Sequence, residues 1–128
     1  SAYGTAYRFR VEEGYRADTF DEFMSGIQLG FLGVYAIMVG GSFDNLDSED
    51  IVGFDRGSGN HAIACDGLYK SAKKGWCPDA FNSWGLNWGD KGRMRTTEDM
   101  WNSVYQDAYL IRAVTYDPQD PNVLPTVP

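Results

Sequence analysis

His61 is the only histidine in the 128-residue chain, so any imidazole chemistry must run through it. Asn82 opens a second conspicuous stretch, NSWGLNWGDKGRMR (Asn82–Arg95), with two tryptophans and three glycines. Between them the chain reads as strand, turn, strand: HAIACDGLY (His61–Tyr69), the turn KSAKKG, then WCPDAFN (Trp76–Asn82). With the turn centred near 71–72, positions summing to about 143 face one another, which sets His61 opposite Asn82. An asparagine side-chain oxygen can accept from one ring nitrogen, fix the tautomer and aim the other nitrogen outward. That is the base and orienter of a nucleophile–base–orienter arrangement. A merely packed histidine is the alternative that pairing geometry leaves open.

The elements that must position these residues follow from periodicity. Tyr7–Val11 alternates and reads as a strand with one wet face. Thr19 followed by Glu22 makes a capping-box pattern, and Phe20, Phe23, Met24 and Ile27 fall at helical spacing, so a helix is expected over 19–29 with Gly30 ending it. The short apolar run Gly33–Val39 reads as a buried strand stopped by Gly40–Gly41. Gly40–Gly59 carries five acids (Asp44, Asp47, Glu49, Asp50, Asp55) and is expected to be a solvated loop. Its spacing lacks the alternating ligands and central glycine of a calcium loop, and no metal or cofactor is expected. Pro78 fits a strand only at an edge or a bulge. TTEDMW starts a short helix, and Ala108–Tyr116 alternates as a closing strand. The order predicts an α+β fold, an antiparallel sheet or barrel half-domain with one main helix over residues 1–116. Residues 117–128 (DPQDPNVLPTVP) have four prolines and read as an extended tail, a kind of segment seldom ordered unless it lies on something.

Composition narrows the functions. The length suits one domain, and a net charge of −7 argues against nucleic-acid binding. The longest near-apolar run, Gly30–Gly41, is too short to span a bilayer, so no membrane is expected. Two cysteines, Cys65 and Cys77, are too few for a disulfide scaffold; buried free thiols are expected, with a single bridge between them as the alternative.

GNHAIACDGLY followed by AFNSWGLNWGDKGRMR resembles the C-terminal half of the papain-like cysteine peptidases. In that family a strand opening on Asn/Asp-His-Ala carries the catalytic histidine, and a later NSWG..WG..G carries the asparagine that orients it. The resemblance assigns those roles to His61 and Asn82. It makes Ser83, Trp84, Gly85 and Trp88 supporting residues, with Trp84 lying over the His–Asn bond and keeping it dry. FDEFMSGIQLGFLGVYAI and the Ser42–Phe43 pair also fit, extending the likeness over about residues 8–116. It implies a substrate channel beside Asn60, Ala62 and the strand Leu32, Gly33, Val34.

The family's nucleophile lies in an N-terminal half that is not in this sequence. Cys65, four residues past His61 on one strand, would have its Cα about 13 Å away, too far for direct proton transfer. Cys77 has the opposite parity to Asn82, and Gln28 sits mid-helix with no oxyanion role. Other departures from the family pattern are Phe81 before the asparagine, Pro78, and Asp66 in CDG. Two functions follow. The chain is one part of a cysteine peptidase, inactive alone, with the thiol and oxyanion donors on a second chain or N-terminal half. Alternatively it is a non-catalytic papain-like module kept for assembly. Either reading expects a protein partner.

Overall fold

The computed structural model describes residues 10–53 and 59–115. The tail at 117–128, Tyr116 and the first residues of the strand expected from Tyr7 lie outside the described residues. The elements are β1 (Arg10–Arg16), α1 (Phe20–Gln28), β2 (Leu32–Val39), a 3-10 turn (Gly41–Asp44), β3 (Gly59–Ser71), β4 (Gly75–Phe81), β5 (Arg93–Arg95), α2 (Glu98–Val104) and β6 (Tyr105–Thr115). The strands form one sheet in the order β1-β6-β2-β3-β4-β5, antiparallel at every pairing. This is the expected α+β arrangement.

The main helix starts where its cap predicts. Thr19 Oγ1 accepts the Glu22 N–H at 3.1 Å, and the Glu22 carboxylate accepts the Asp18 N–H at 2.8 Å. The capping box is therefore closed one residue early. Gly30, at φ +95°, ends the helix, with the Gly30 and Phe31 N–H groups bonded back to Ile27 and Gly26. The inner stripe Phe20, Phe23 and Ile27 is buried against the sheet. A Cβ on Gly33 would sit 2.3 Å from Phe23 Cζ, so only glycine lets α1 lie this close to β2. Trp101 of α2 completes the core, its ring 4.7 Å from Phe23 and 4.8 Å from Tyr35.

The register between β3 and β4 differs from expectation. Ala64 pairs with Phe81 and Cys65 with Ala80, and after a bulge at Asp66 Gly67 pairs with Asp79 and Ser71 with Gly75. The turn is Ala72–Lys73–Lys74, further along than 71–72, and Asn82 lies just past the end of β4. Two things set this register. Gly75 takes φ +77°, and the Glu49 carboxylate accepts from Tyr69 Oη, Ser71 Oγ and the Ala72 N–H at 3.0, 2.7 and 2.9 Å. Pro78 is accommodated because β5 pairs only with residues 79–81 of β4.

The acidic loop is solvated only in part: Asp44, Asn45, Asp47 and Ser48 are exposed, as expected, but the segment also packs inward. Phe43, Ile51 and Val52 are buried. Asp47 Oδ1 accepts the N–H groups of Glu49 and Ile51, and Glu49 clips the β3–β4 turn. Asp55 lies outside the described residues. Arg95, itself buried, reaches Asp50, Asp79 and Asp90 and so ties the loop to β5. A buried cation needs carboxylates around it, and Asp50 is the loop acid that supplies one, while Asp44 and Asp47 stay exposed.

Candidate functional site

The constellation is assembled where β3 begins and β4 ends. His61 Nε2 lies 2.7 Å from Asn82 Oδ1. The same oxygen accepts the Ser83 backbone N–H at 2.8 Å. A backbone N–H can only donate, so this second bond identifies the atom as the oxygen, and His61 must then present an N–H to it. The neutral ring is thereby the Nε2–H tautomer, with Nδ1 left as an unprotonated acceptor. Asn82 is positioned in turn: its N–H bonds to Gly92 O at 2.9 Å, across the turn that contains both tryptophans. The Asn82 Nδ2 group is enclosed and takes no hydrogen bond among the described residues.

His61 and Asn82 meet, but not as cross-strand partners. In the observed register His61 is two residues away from being opposite Asn82. Asn82 reaches it because the chain leaves β4 and turns back at Gly85, Gly89 and Gly92, all with positive φ.

Trp84 stacks on His61 at 5.7 Å with 30° between the planes, and meets Trp88 edge-on at 5.2 Å. Its outer side stays 42% exposed, so it walls the pair on one side without sealing it. Trp88 Nε1 donates to Phe43 O at 2.7 Å, and the Phe43 ring stacks on Trp88. The 3-10 turn therefore braces the tryptophans. Phe43 and Gly92 carry positioning roles that spacing alone does not reveal. The signal for Phe43 was the Ser42–Phe43 pair that fits the family resemblance.

The channel residues expected around His61 are not gathered in one place. Asn60 and Ala62 pair with Met38 and Ala36 across β2, on the face opposite to His61 by strand alternation. Ile37 is the partner of His61. Val34 and Leu32 share the Ala62 face but lie three and five residues from Ile37, about 10 and 17 Å along the strand. Gly33 belongs to the other face altogether, under Phe23 and Ile27. The β2 residues level with the base are Ala36, Ile37 and Met38.

Both cysteines are free and buried. Cys65 Sγ donates to Gly67 O and Asp79 O, and burial pushes its pKa up to about 12. Burial likewise pushes Cys77 up to about 11. Neither is a thiolate at neutral pH, and neither bonds to His61. Cys77 shares the face of Asp79 and Phe81, and the bulge that breaks strand parity sits in β3, not β4.

Beyond the site, part of the sheet face turned away from α1 is open, while the acidic loop covers Cys77 and Arg95 on the same face. Leu32, Val34, Phe81 and Tyr109 are exposed there. The Arg93 guanidinium lies 4.8 Å from the Phe81 ring and is held by Asp66 at 3.0 and 3.3 Å.

No family model matches the sequence, and no curated protein does. Solved structures do. Xylellain, a cysteine protease from Xylella fastidiosa, is similar at 22% identity and TM-score 0.70, over 88% of this chain and 44% of that one. The bromelain protease of Ananas comosus is similar at 17% identity and TM-score 0.62, over 84% of this chain and 51% of that one. A clostridial cysteine protease is similar at 17% identity and TM-score 0.67, over 88% and 31% of the two chains. The chain has the fold of one part of a papain-like cysteine protease, and spans about half or less of each of these structures.

Proposed function

From that partial papain-like fold we propose that the chain supplies the base and orienter of a cysteine peptidase, with the nucleophile on another segment or chain. The observation that carries this is the His61 Nε2–Asn82 Oδ1 bond of 2.7 Å, with the acceptor identified by Ser83. It leaves Nδ1 free to take the proton of an incoming thiol. The thiolate then attacks a peptide carbonyl. The tetrahedral intermediate collapses to a thioester as the amine leaves with the proton from His61, and water, deprotonated by the same ring, hydrolyses the thioester. Asn82 holds the ring through both transfers, and Trp84 keeps water off one side of the bond, which strengthens it.

By itself the chain is expected to cleave nothing, because both of its thiols are buried and protonated. The exposed apolar residues Leu32, Val34, Phe81 and Tyr109 give the second reading, a module kept for assembly, its specific support, since a patch of this kind marks an interaction surface. One experiment separates the two. The chain is isolated from its source with whatever is bound to it, and the complex is assayed on a fluorogenic peptide before and after His61→Ala. Thiol-dependent turnover lost in His61→Ala, with the complex still assembled, supports the peptidase. A complex that forms but never turns over substrate removes it and leaves assembly. Thiol-dependent turnover by the 128 residues alone contradicts the missing nucleophile.

A further inference from the structure

On the side of the sheet that carries α1, a groove of about 490 Å³ separates the helix from the β3–β4 hairpin. It is lined by Asp21, Met24, Ser25, Gln28, Leu68 and Trp76. The bulge at Asp66 creates it by turning Leu68 and Lys70 toward the helix side, with Pro78 and Trp76 as their cross-strand partners. Trp76 is 55% exposed, and the Lys70 ammonium sits 5.9 Å from its ring. The groove is separate from His61 and plays no part in the reaction proposed above.

We propose that this groove receives the chain's own proline-rich segment, residues 117–128. Three observations point there. The first is chemical. A polyproline-type strand has no internal hydrogen bonds and is taken up by grooves that pair an exposed aromatic ring with side-chain donors. Trp76, Gln28 and Ser25 offer the ring and the donors, and Met24 and Leu68 offer an apolar floor for Val123 and Leu124. The second is charge: the segment carries Asp117 and Asp120, and the Lys70 ammonium beside Trp76 gives the groove a cation next to its own Asp21. The third is position. Leu110 and Cys65 both pair with Gly33, and β6 runs in the same direction as β3, so Thr115 leaves the sheet at the end where the hairpin turns. Two strand spacings, about 10 Å, separate β6 from β3. At about 3.1 Å per residue, five or six residues span that gap and climb to the level of α1. Val123 and Leu124, eight and nine residues past Thr115, are within reach of the groove.

The test follows the Trp76 indole N–H by NMR in the full chain, with its signal identified by Trp76→Phe. The double substitution Val123→Asp with Leu124→Asp is expected to move this signal and leave that of Trp101 in place. A peptide of sequence DPQDPNVLPTVP, added to the double variant, is expected to bring it back. An unmoved Trp76 signal, or a peptide without effect, overturns the proposal. A signal in the unsubstituted chain that drifts on dilution assigns the groove to the tail of a second copy and overturns docking within one chain. The unchanged Trp101 signal reports that the core of the variant is folded.

Discussion

Arg95→Met is the most informative single perturbation of the scaffold behind the site. Arg95 is 6% exposed. It donates to Asp90 Oδ2 at 2.9 Å and to Glu49 O at 3.3 Å, and lies 3.7 Å from Asp50 Oδ2. Its Nε is 3.2 Å from Asp79 Oδ1 without being aligned for a hydrogen bond, so that contact is ionic. Its guanidinium also stacks on Tyr69 at 4.2 Å. Methionine keeps the apolar stem and strands three carboxylates around it. Removing one partner of a buried ion pair costs about 3–5 kcal/mol. Asp50, Asp79 and Asp90 are 30%, 20% and 46% exposed, so water offsets part of the loss and the low end applies. About 3 kcal/mol is roughly a hundredfold in the folding equilibrium. Urea unfolding followed by circular dichroism should show the midpoint fall with the slope unchanged. Asp79→Asn introduced into the Arg95→Met background should recover about 1 kcal/mol, since it removes one stranded charge, whereas in the parent chain it should destabilise. A cost of Arg95→Met below about 1 kcal/mol, in the range of exposed ion pairs, would refute the reasoning. So would an Asp79→Asn change that destabilises both backgrounds equally.

Other outcomes follow from the same geometry. Gly89→Ala should cost well over 3 kcal/mol by thermal melt, because the left-handed backbone costs about 1–2 kcal/mol and the new Cβ would lie 2.3 Å from Arg93 O. Gly75→Ala is the control: its φ is also positive but its Cβ meets nothing within 4 Å, so the loss should stay near the conformational cost of about 1–2 kcal/mol. Glu49 is held below its usual 4.5 by its bonds to the Ala72 N–H and Ser71, so its contribution is fully present above that value and drains as pH falls through the depressed folded value. Glu49→Gln should therefore flatten the acid limb of a stability-versus-pH curve, while Asp50, pushed up mainly by burial, works in the opposite direction. Cys65 and Cys77 should react with a thiol reagent far more slowly in the folded chain than in urea, with equal end-point counts.

Much of the fold was legible because local rules agreed with the global one. The helix over 20–28 carries its own start signal in Thr19 and Glu22, its own stop in Gly30, and an apolar stripe of the right period. The strands of the β3–β4 hairpin are equally plain from their alternation, but not their register. A turn such as KSAKKG admits several centres, and the one chosen depends on Glu49, which is distant in sequence and folds over to accept from Ser71 and Ala72. The acidic loop was misread in part for a related reason. Its charges look like a solvated surface, and Asp44 and Asp47 are exposed, but Arg95, buried nearby, makes Asp50 a counter-ion and Glu49 clips the hairpin turn.

The sequence by itself determined the chemistry on offer: one imidazole, an asparagine opening a tryptophan–glycine turn, and two cysteines whose spacing from His61 and Asn82 does not suit them as nucleophile. Residue type and short-range spacing carry that information, because hydrogen-bonding capacity belongs to the side chain. Only the tertiary structure decided how the pair meets. Asn82 lies beyond the ladder, and three glycine turns, the Gly92 carbonyl and the Phe43 brace bring it to His61. It also decided which residues flank the base. A register shift of one or two residues moves a side chain to the other face or several ångströms along the strand, and that shift is settled by contacts between segments far apart in the chain.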